Sequence, residues 1–353
     1  MFHDIAIEDM MVLKEKGDMV LIDVRSPSEY NNSTIPGSLN IPLFDDEERA
    51  EIGTLYKQVS PEAAQERGLE IVSAKLPNFI KEFKQIDGEK TVFCWRGGMR
   101  SKTSATVLDL MNVKVNRLLG GVRAYRKWVV DKIERMDLPQ KAFILNGNTG
   151  TGKTLILRKL LKEGYPVIDL EQMANHRGSI FGQIGLQPHN QKTFDSLLIE
   201  RLEQLKDSSY LLLEGESKRI GRAVLPDALC DFKEQGVQIF IEMPIEERIQ
   251  HILDDYQPWE YKSQCIEAFR KIKSRIHTPI SAQIEECLQS EEFSLAVKLL
   301  LEYYYDPRYK FTADQYPESQ KVTLHVQNVD EAVEKIKKLI GNELKVSNRL
   351  ASI

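Results

Sequence analysis

The sequence predicts an α/β protein built as two parallel-sheet domains, and three observations carry that prediction. Short apolar runs alternate with longer amphipathic or charged stretches, the pattern of strands joined by helices that cover a parallel sheet. Two of these runs, Thr91-Val92-Phe93 and Lys141-Ala142-Phe143-Ile144-Leu145-Asn146, lead straight into glycine-bearing loops that open helices. Between them, Asp137-Leu138-Pro139-Gln140 interrupts the alternation. Residues 1–137 are therefore expected to form one domain and 138–353 a second, with a helical insertion at about 258–315. At 353 residues the chain has the length for two domains of ordinary size.

Composition narrows the class. A hydrophobic fraction of 42% and a charged fraction of 29% are those of a globular protein. No apolar run approaches the roughly 20 residues of a membrane helix, and Met1-Phe2-His3-Asp4-Ile5 lacks the basic-then-apolar start of a signal peptide. Cys94, Cys230, Cys265 and Cys287 form no CxxC pair and no metal-ligand spacing. A cytoplasmic, reducing compartment and no membrane partner are expected. The net charge of −5 argues against a general polyanion binder. Residues 94–135, however, hold ten Lys/Arg against three Asp/Glu. That local excess is either a footprint for a polyanion or the solvated faces of two helices.

The first domain reads in order as a strand at Val20–Val24, a turn at Arg25-Ser26-Pro27, a loop over residues 33–38, charged helical sequence over 45–86, and the strand Thr91–Phe93. Then come a helix from about Ser101 to Met111, a strand at Val115–Leu118, and a helix opened by Gly120-Gly121. The segment Cys94-Trp95-Arg96-Gly97-Gly98-Met99-Arg100-Ser101 is its chemical centre. Two glycines let several N–H groups turn toward one point, and such a nest at a helix start binds anions and lowers a thiol's pKa. Arg96 and Arg100 are expected to add to both effects, and Ser101 to cap the helix. The arrangement describes a thiolate in an oxyanion cradle, able to attack or carry a group delivered by a tetrahedral anion. A buried core residue is the commoner fate of a lone cysteine, but two glycines and two arginines are not core composition.

In the second domain, Gly147-Asn148-Thr149-Gly150-Thr151-Gly152-Lys153-Thr154 follows a strand and precedes a helix at Leu155–Glu163, which is G-x-x-x-x-G-K-[ST] in its required context. Backbone N–H groups close around phosphate oxygens, Lys153 supplies a point charge, and Thr154 can reach a metal such as Mg2+. Further strands are expected at Val167–Glu171, at Tyr210–Leu213 ending in Glu214-Gly215-Glu216-Ser217, at Gln238–Met243, and at Val322–Val326. The Gln238–Pro244 run into a helix is similar to small nucleotide kinases. A carboxylate at the Glu214 position usually holds a metal-bound water, though Asp is the ordinary residue. No metal site is otherwise indicated. His176-Arg177-Gly178-Ser179, continuing through Gln187-Pro188-His189-Asn190-Gln191-Lys192, and Tyr303-Tyr304-Tyr305-Asp306-Pro307-Arg308-Tyr309 look too polar for core. Tyr304 with Arg308 could stack unpaired bases, or the tyrosines could pack on a helix surface. The tail from Asn342 is expected to be loosely held.

Several pieces of residues 1–135 together resemble the rhodanese family: Asp23-Val24-Arg25-Ser26-Pro27 with Glu29-Tyr30, Ile35-Pro36-Gly37-Ser38 with Asn40-Ile41-Pro42, the Cys94 loop, and Leu119-Gly120-Gly121-Val122 with Tyr125. Five residues separate Cys94 from Arg100, one more than in simple sulfurtransferases. The spacing resembles the phosphatase branch, so a phosphate-sized donor, and plain phosphatase activity, are both admissible. The fold is thus read as a rhodanese-like parallel-sheet domain followed by a P-loop NTPase-like α/β domain with a helical insertion. The order of motifs along the whole chain closely resembles the tRNA 2-selenouridine synthase family.

That resemblance implies replacement of sulfur by selenium at position 2 of wobble uridine in tRNA carrying 2-thiouridine. Selenophosphate is the implied donor, and geranyl diphosphate the implied source of an S-geranyl intermediate. It places selenium delivery at Cys94, with residues 95–101 as the oxyanion loop, and geranyl transfer at residues 147–154. Glu214, Glu216, Ser217, His176 and Arg177 are second-site candidates. Arg117, Arg123, Arg126, Lys127, Lys218, Arg219 and Arg222, with Tyr304 and Arg308, are candidates for tRNA contact. A selenophosphate-supplying enzyme is an implied partner. Two rival readings stay open: an ATP-dependent sulfurtransferase whose P-loop domain binds nucleotide as a kinase, and a regulatory protein with a nucleotide switch. The intact Cys94 with Arg96 and Arg100 speaks against the second rival.

Overall fold

The computed structural model describes residues 2–313 and 315–350. It divides into two compact units: the first runs to Arg135 and takes in Asp195–Glu200, and the second holds the rest.

The first unit comprises β1 (His3–Ile5), α1 (Ile7–Glu15), β2 (Met19–Asp23), α2 (Pro27–Asn32), β3 (Leu39–Asn40), α3 (Asp46–Gln58), α4 (Pro61–Lys84), β4 (Glu89–Phe93), α5 (Met99–Leu110), β5 (Asn116–Leu118) and α6 (Gly121–Glu134). The strands form one parallel sheet in the order β1-β5-β4-β2-β3. Central β4 is apolar because helices cover both faces of such a sheet, and Val92 and Phe93 are fully buried. Phe83, Val72 and Phe79 of α4 pack in the same core as Ile22, Ala105 and Leu108. Both long helices start where their sequence says: Asp45 and Glu48 form a reciprocal capping box, and Ser60 caps α4 with Pro61 in its first turn.

The Asp23-Val24-Arg25 motif has a structural meaning. Asp23 and Arg25 are a buried ion pair, Nη2 to Oδ2 at 2.6 Å. Arg25 also donates to Ser33 O at 2.6 Å, and the Thr34 hydroxyl donates to Asp23 Oδ2 at 2.8 Å. Asn40 Nδ2 donates to the carbonyls of Asp23 and Arg25. Removing one partner of such a pair costs ~3–5 kcal/mol, because the other is left buried and uncompensated. The network ties the 33–40 loop to the end of β2, the strand beside β4.

The second segment comprises β6 (Lys141–Gly147), α7 (Lys153–Lys162), β7 (Val167–Ile168), α8 (Leu170–Ala174), α9 (Gln191–Gln204), β8 (Tyr210–Glu214), β9 (Arg219–Ile220), β10 (Ala223–Val224), α10 (Asp227–Gln235), β11 (Val237–Glu242), α11 (Ile245–Tyr256), α12 (Lys262–Arg270), α13 (Thr278–Gln289), α14 (Phe293–Leu300), α15 (Asp306–Ala313), β12 (Lys321–His325) and α16 (Val329–Leu350). Its main sheet is parallel in the order β12-β11-β6-β8-β7, and β9 and β10 pair as a short antiparallel ribbon. Phe143, Leu145, Ile156, Leu160, Ile239 and Ile336 belong to the sheet core. A separate core of Phe181, Phe269, Ile272, Ile284, Phe293 and Ala296 holds α12–α14 and the 177–186 loop together. Leu301–Tyr305 continues α14 as a π-helical turn into α15.

Two expectations are corrected, and the C-terminal segment is placed. The strand expected at 167–171 stops at Ile168, because Asp169 caps a new helix by accepting from Gln172 N–H at 2.8 Å. The helix expected from Ser101 starts at Met99 with Gly98 as its N-cap, so Ser101 lies buried in the first turn and caps nothing. The segment from Asn342 continues α16 to Leu350, anchored upstream by Ile336 and Ile340 in the core, and residues 351–353 fall outside the described residues. Among the described residues no helix is long and apolar enough to cross a membrane.

Candidate active sites

In the first unit, Cys94 stands at the C-terminal end of the central strand, where parallel sheets present ligands. Its Sγ is buried and lies 3.2 Å from Ser101 Oγ. The hydroxyl that sequence reasoning assigned to capping therefore faces the sulfur. The loop is clamped onto the start of α6: Val122 N–H donates to Cys94 O at 2.9 Å, and Arg123 N–H to Trp95 O at 3.0 Å. Such an approach needs glycine. Gly121 has φ +57°, and a Cβ there would stand 2.0 Å from Cys94 O. Gly97, at φ +63°, faces Gly120 N in the same way. The second glycine pair in the sequence exists to admit the first loop.

Arg100 does not point at the loop alone. It grips Glu29 of α2 through two hydrogen bonds, Nη2 to Oε1 at 3.1 Å and Nη1 to Oε2. Burial works to raise the Glu29 pKa, but the hydrogen bonds and charge of Arg100, with Arg49 3.6 Å away, hold it below the ordinary value. Part of the Arg100 charge is thereby matched, and the exposed Arg96 is the loop's other cation. Glu29 is a partner that the sequence showed only as part of a motif. Arg117 is likewise committed: it forms a two-point pair with Asp4 at 2.7 Å and donates to Gly97 O at 3.2 Å, which braces the loop from outside.

In the second unit, Gly147–Thr154 joins β6, the middle strand, to α7. Gly147, Gly150 and Gly152 all take positive φ, and side chains there would meet β11, α11 or the start of α16. Lys153 Nζ donates to Gly147 O at 2.9 Å, so the lysine folds over its own loop. Thr154 Oγ1 donates to Glu171 Oε2 at 2.8 Å. Two residues of α11 shape the loop from behind, and sequence reasoning missed both. Buried Arg248 donates from Nε to Thr149 O at 2.9 Å, and its other nitrogens pair with Asp306 at 2.6 and 3.0 Å. His251 Nδ1 lies 2.9 Å from Gly150 O. An arginine on the buried face of an otherwise amphipathic helix was the available signal.

Asp169, Glu171, Glu214 and Glu216 form an acidic group beside Thr154. Glu171 is pushed up to about 7, first by burial and then by Glu216, against Lys153 and the Thr154 hydroxyl. Glu214 is fully buried, and burial with Asp169, Glu171 and Glu216 raises it well above the carboxylate range. Its Oε2 accepts from Leu170 N–H at 2.7 Å, and its Oε1 has no partner. Glu214, which the sequence places at a metal-bound water, secures the start of α8 through that Leu170 N–H bond. Among the described residues no group of three or more His, Cys, Asp or Glu is arranged to hold a metal ion.

The remaining candidates separate clearly. Glu216 lies against Gly178, where a Cβ would stand 2.2 Å from its Oε2. Ser217 Oγ donates to Arg219 O and stays exposed. Arg177 is structural: it donates to Ile184 O and Asp255 O, pairs with Asp255, and stacks 4.6 Å from the Tyr256 ring. The His176 ring is packed by Gly182 and Gly221, and burial with Arg177 lowers its pKa. Tyr304 is corrected as a base-stacking residue. It is buried in the helical core, and the Arg308 guanidinium covers its ring at 3.7 Å. Arg126 is half-buried and paired with Asp195, and Lys218 is paired with Asp227 at 2.5 Å. Arg123, Lys127, Arg219 and Arg222 are exposed.

A small apolar cleft of about 60 Å³ adjoins the phosphate loop. Phe181, Ile252, Leu288, Phe293, Val297 and Leu300 line it, and it reaches Thr149 of the loop itself. Sequence reasoning did not find it, because its walls come from helices far apart in the chain.

These features define a class: a cysteine-loop sulfurtransferase-type domain and a phosphate-loop α/β domain carried on one chain. A rhodanese-like domain model matches residues 7–127, and a model described as the tRNA 2-selenouridine synthase AAA domain matches residues 140–268. The chain is similar to the tRNA 2-selenouridine synthase of Psychromonas ingrahamii, 30% identical over 84% of this chain and 88% of that protein. It is similar also to those of Nitrosomonas europaea, at 33% over 72% of this chain and 67% of that protein, and Bdellovibrio bacteriovorus, at 36% over 67% and 64%. The match thus spans just under two thirds of the Bdellovibrio protein. The chain belongs to the tRNA 2-selenouridine synthase family.

Proposed function

We propose that this chain makes 2-selenouridine in tRNA by geranylating 2-thiouridine at the wobble position and then replacing the sulfur with selenium from selenophosphate. Family membership supports the tRNA selenation role. The observation that carries the geranyl step is the apolar cleft opening beside a complete phosphate loop at Thr149, since a prenyl diphosphate needs both surfaces at once. In that step the thiocarbonyl sulfur attacks C1 of the geranyl chain, the C–O bond breaks, and diphosphate leaves with the electron pair into the Gly147–Thr154 amides and Lys153. Loss of the N3 proton leaves a neutral S-alkyl base whose sulfur departs readily as a thiolate. The selenium of selenophosphate held at the Cys94 loop then attacks C2, geranylthiolate leaves with the C–S electron pair, and water cleaves the remaining Se–P bond to release phosphate. A glycine-bearing loop at the start of α5, flanked by Arg96 and Arg100, suits a tetrahedral selenophosphate anion.

Mg2+ would fit beside Thr154 with Glu171 and the substrate's own phosphate oxygens, since that ion is usually held by one or two carboxylates and phosphates. It would neutralise diphosphate charge there. A selenophosphate-producing enzyme would supply the donor. The test is nucleoside analysis of 2-thiouridine tRNA incubated with the protein and geranyl diphosphate, then with selenophosphate. S-geranyl-2-thiouridine is expected first and 2-selenouridine second. Sulfur exchange that needs ATP and ignores geranyl diphosphate would replace this reading with the nucleotide-dependent one.

A further inference from the structure

The Cys94 loop carries a surface that an anion donor does not use. Trp95 and Met99 on the loop are 40% and 64% exposed, and Leu119 on the neighbouring turn is 46% exposed. Water-exposed apolar side chains of this size beside a buried reactive sulfur are unfavourable by roughly 25 cal/mol per Å² left uncovered. A phosphate-like anion gains nothing from them, because its partners are N–H groups and cations. A second substrate does. The backbone beneath Trp95 is also fixed, since its carbonyl accepts the Arg123 N–H and the preceding carbonyl accepts the Val122 N–H. The exposed indole is therefore carried on a braced backbone, one residue from the cysteine.

The surroundings name the chemistry of that substrate. Arg96 lies on the same loop, Lys102 on α5 that the loop opens, and Arg123 and Lys127 on α6 clamped against it, and all four are exposed. An aromatic plane among exposed cations is the combination that binds unpaired nucleotides, the ring stacking on a base while the cations meet flanking phosphates. These four belong to the ten Lys/Arg that face three Asp/Glu across residues 94–135, in a chain of net charge −5.

We infer that Trp95 is the platform on which the target uracil stacks as its C2 is presented to Cys94, with Arg96 and Arg123 holding the adjacent phosphates. The inference rests on the selenation reading above and extends it by assigning the residue that recognises the base. It also moves Trp95 out of the anion cradle, to which only its backbone belongs.

The experiment uses the full chain and an anticodon stem-loop RNA carrying S-geranyl-2-thiouridine, with selenophosphate as donor. Trp95→Ala should raise KM for the RNA about tenfold or more and change kcat much less, while Trp95→Phe should restore most of the affinity. The chain has three tryptophans, at 95, 128 and 259. In a Trp128→Phe/Trp259→Phe background, binding of the RNA should quench the remaining Trp95 fluorescence, a readout that a merely structural role would not produce. An RNA that is selenated by the Trp95→Ala variant with unchanged KM, and that leaves Trp95 fluorescence unquenched, would overturn the assignment while leaving the selenation reading intact. An RNA that the wild type does not selenate at all would instead overturn the reading on which it rests.

Discussion

Gly121→Ala tests how the Cys94 loop is shaped. Two costs act at this position. Its φ of +57° is left-handed, which costs an L-residue about 1–2 kcal/mol. A Cβ would also stand 2.0 Å from Cys94 O, so the loop must retreat by about 1 Å before the approach is tolerable. That retreat breaks the 2.9 Å bond from Val122 N–H and leaves a carbonyl beside the core unsatisfied, at about 1–3 kcal/mol. The total expected destabilisation is about 2–5 kcal/mol. A 1 Å misplacement of a reacting group costs about a hundredfold in rate, so selenation should fall by about that factor even where the variant stays folded. Gly37→Ala is the control, because Gly37 has φ +78° with nothing within 4 Å of a Cβ. It should show the backbone strain alone. Urea denaturation and single-turnover selenation measure both variants, and geranyl diphosphate binding by the second unit should be retained in each. If Gly121→Ala matches Gly37→Ala in stability and activity, close approach to Gly121 does not set the loop.

Four further outcomes are expected. Cys94→Ser should abolish selenium incorporation and leave geranylation largely intact, as nucleoside analysis of the two steps would show; loss of both in a folded protein would mean the sites are not separable. Lys153→Ala with Thr154→Ala should weaken geranyl diphosphate binding by calorimetric titration, and an unchanged affinity would place the diphosphate elsewhere. Glu171, raised to about 7, binds its proton more tightly folded than unfolded, so its contribution is full below about pH 4.5 and is lost as pH rises toward about 7. Glu171→Gln should therefore flatten the pH dependence and become the more stable form by roughly 3–4 kcal/mol above that window, and parallel melting curves at about pH 5 and pH 8 would refute it. Neutralising Lys218, Arg219 and Arg222 together should weaken tRNA binding and reduce the salt slope by about 0.7–0.9 for each tRNA phosphate these cations had neutralised; an unaltered slope would make that cluster ordinary surface.

Much of both sites was legible because loop chemistry is local. Gly147–Thr154 and Cys94–Ser101 each hold their signal within eight residues, and the strands leading into them are apolar runs. The roles of particular side chains were less legible, because roles depend on partners far along the chain. Ser101 looked like a cap, since a serine near a helix start usually is one, and only the earlier start at Met99 turned it toward Cys94 Sγ. Arg100 looked like a free cation until Glu29, 71 residues away, claimed it. Glu214 looked like a metal-water ligand by position, and its bond to the Leu170 N–H at the start of α8 had no signal in the sequence. Tyr304 and Arg308 stack on each other, a pairing that their spacing of four in a helix allowed but did not require. The apolar cleft had no local signature at all.

The tie from Asp306 through Arg248 to Thr149 has a consequence for where this protein can be cut. The region matched to the family's AAA domain ends at residue 268, before Asp306, before strand β12 and before helix α16. A fragment stopping there would keep every residue of the phosphate loop. It would bury the Arg248 guanidinium with no carboxylate to meet it, leave one edge of β11 unpaired, and strip Ile336 and Ile340 from the core. The shortest self-sufficient phosphate-binding module is therefore discontinuous in sequence, and its last third belongs to it as fully as the glycines do.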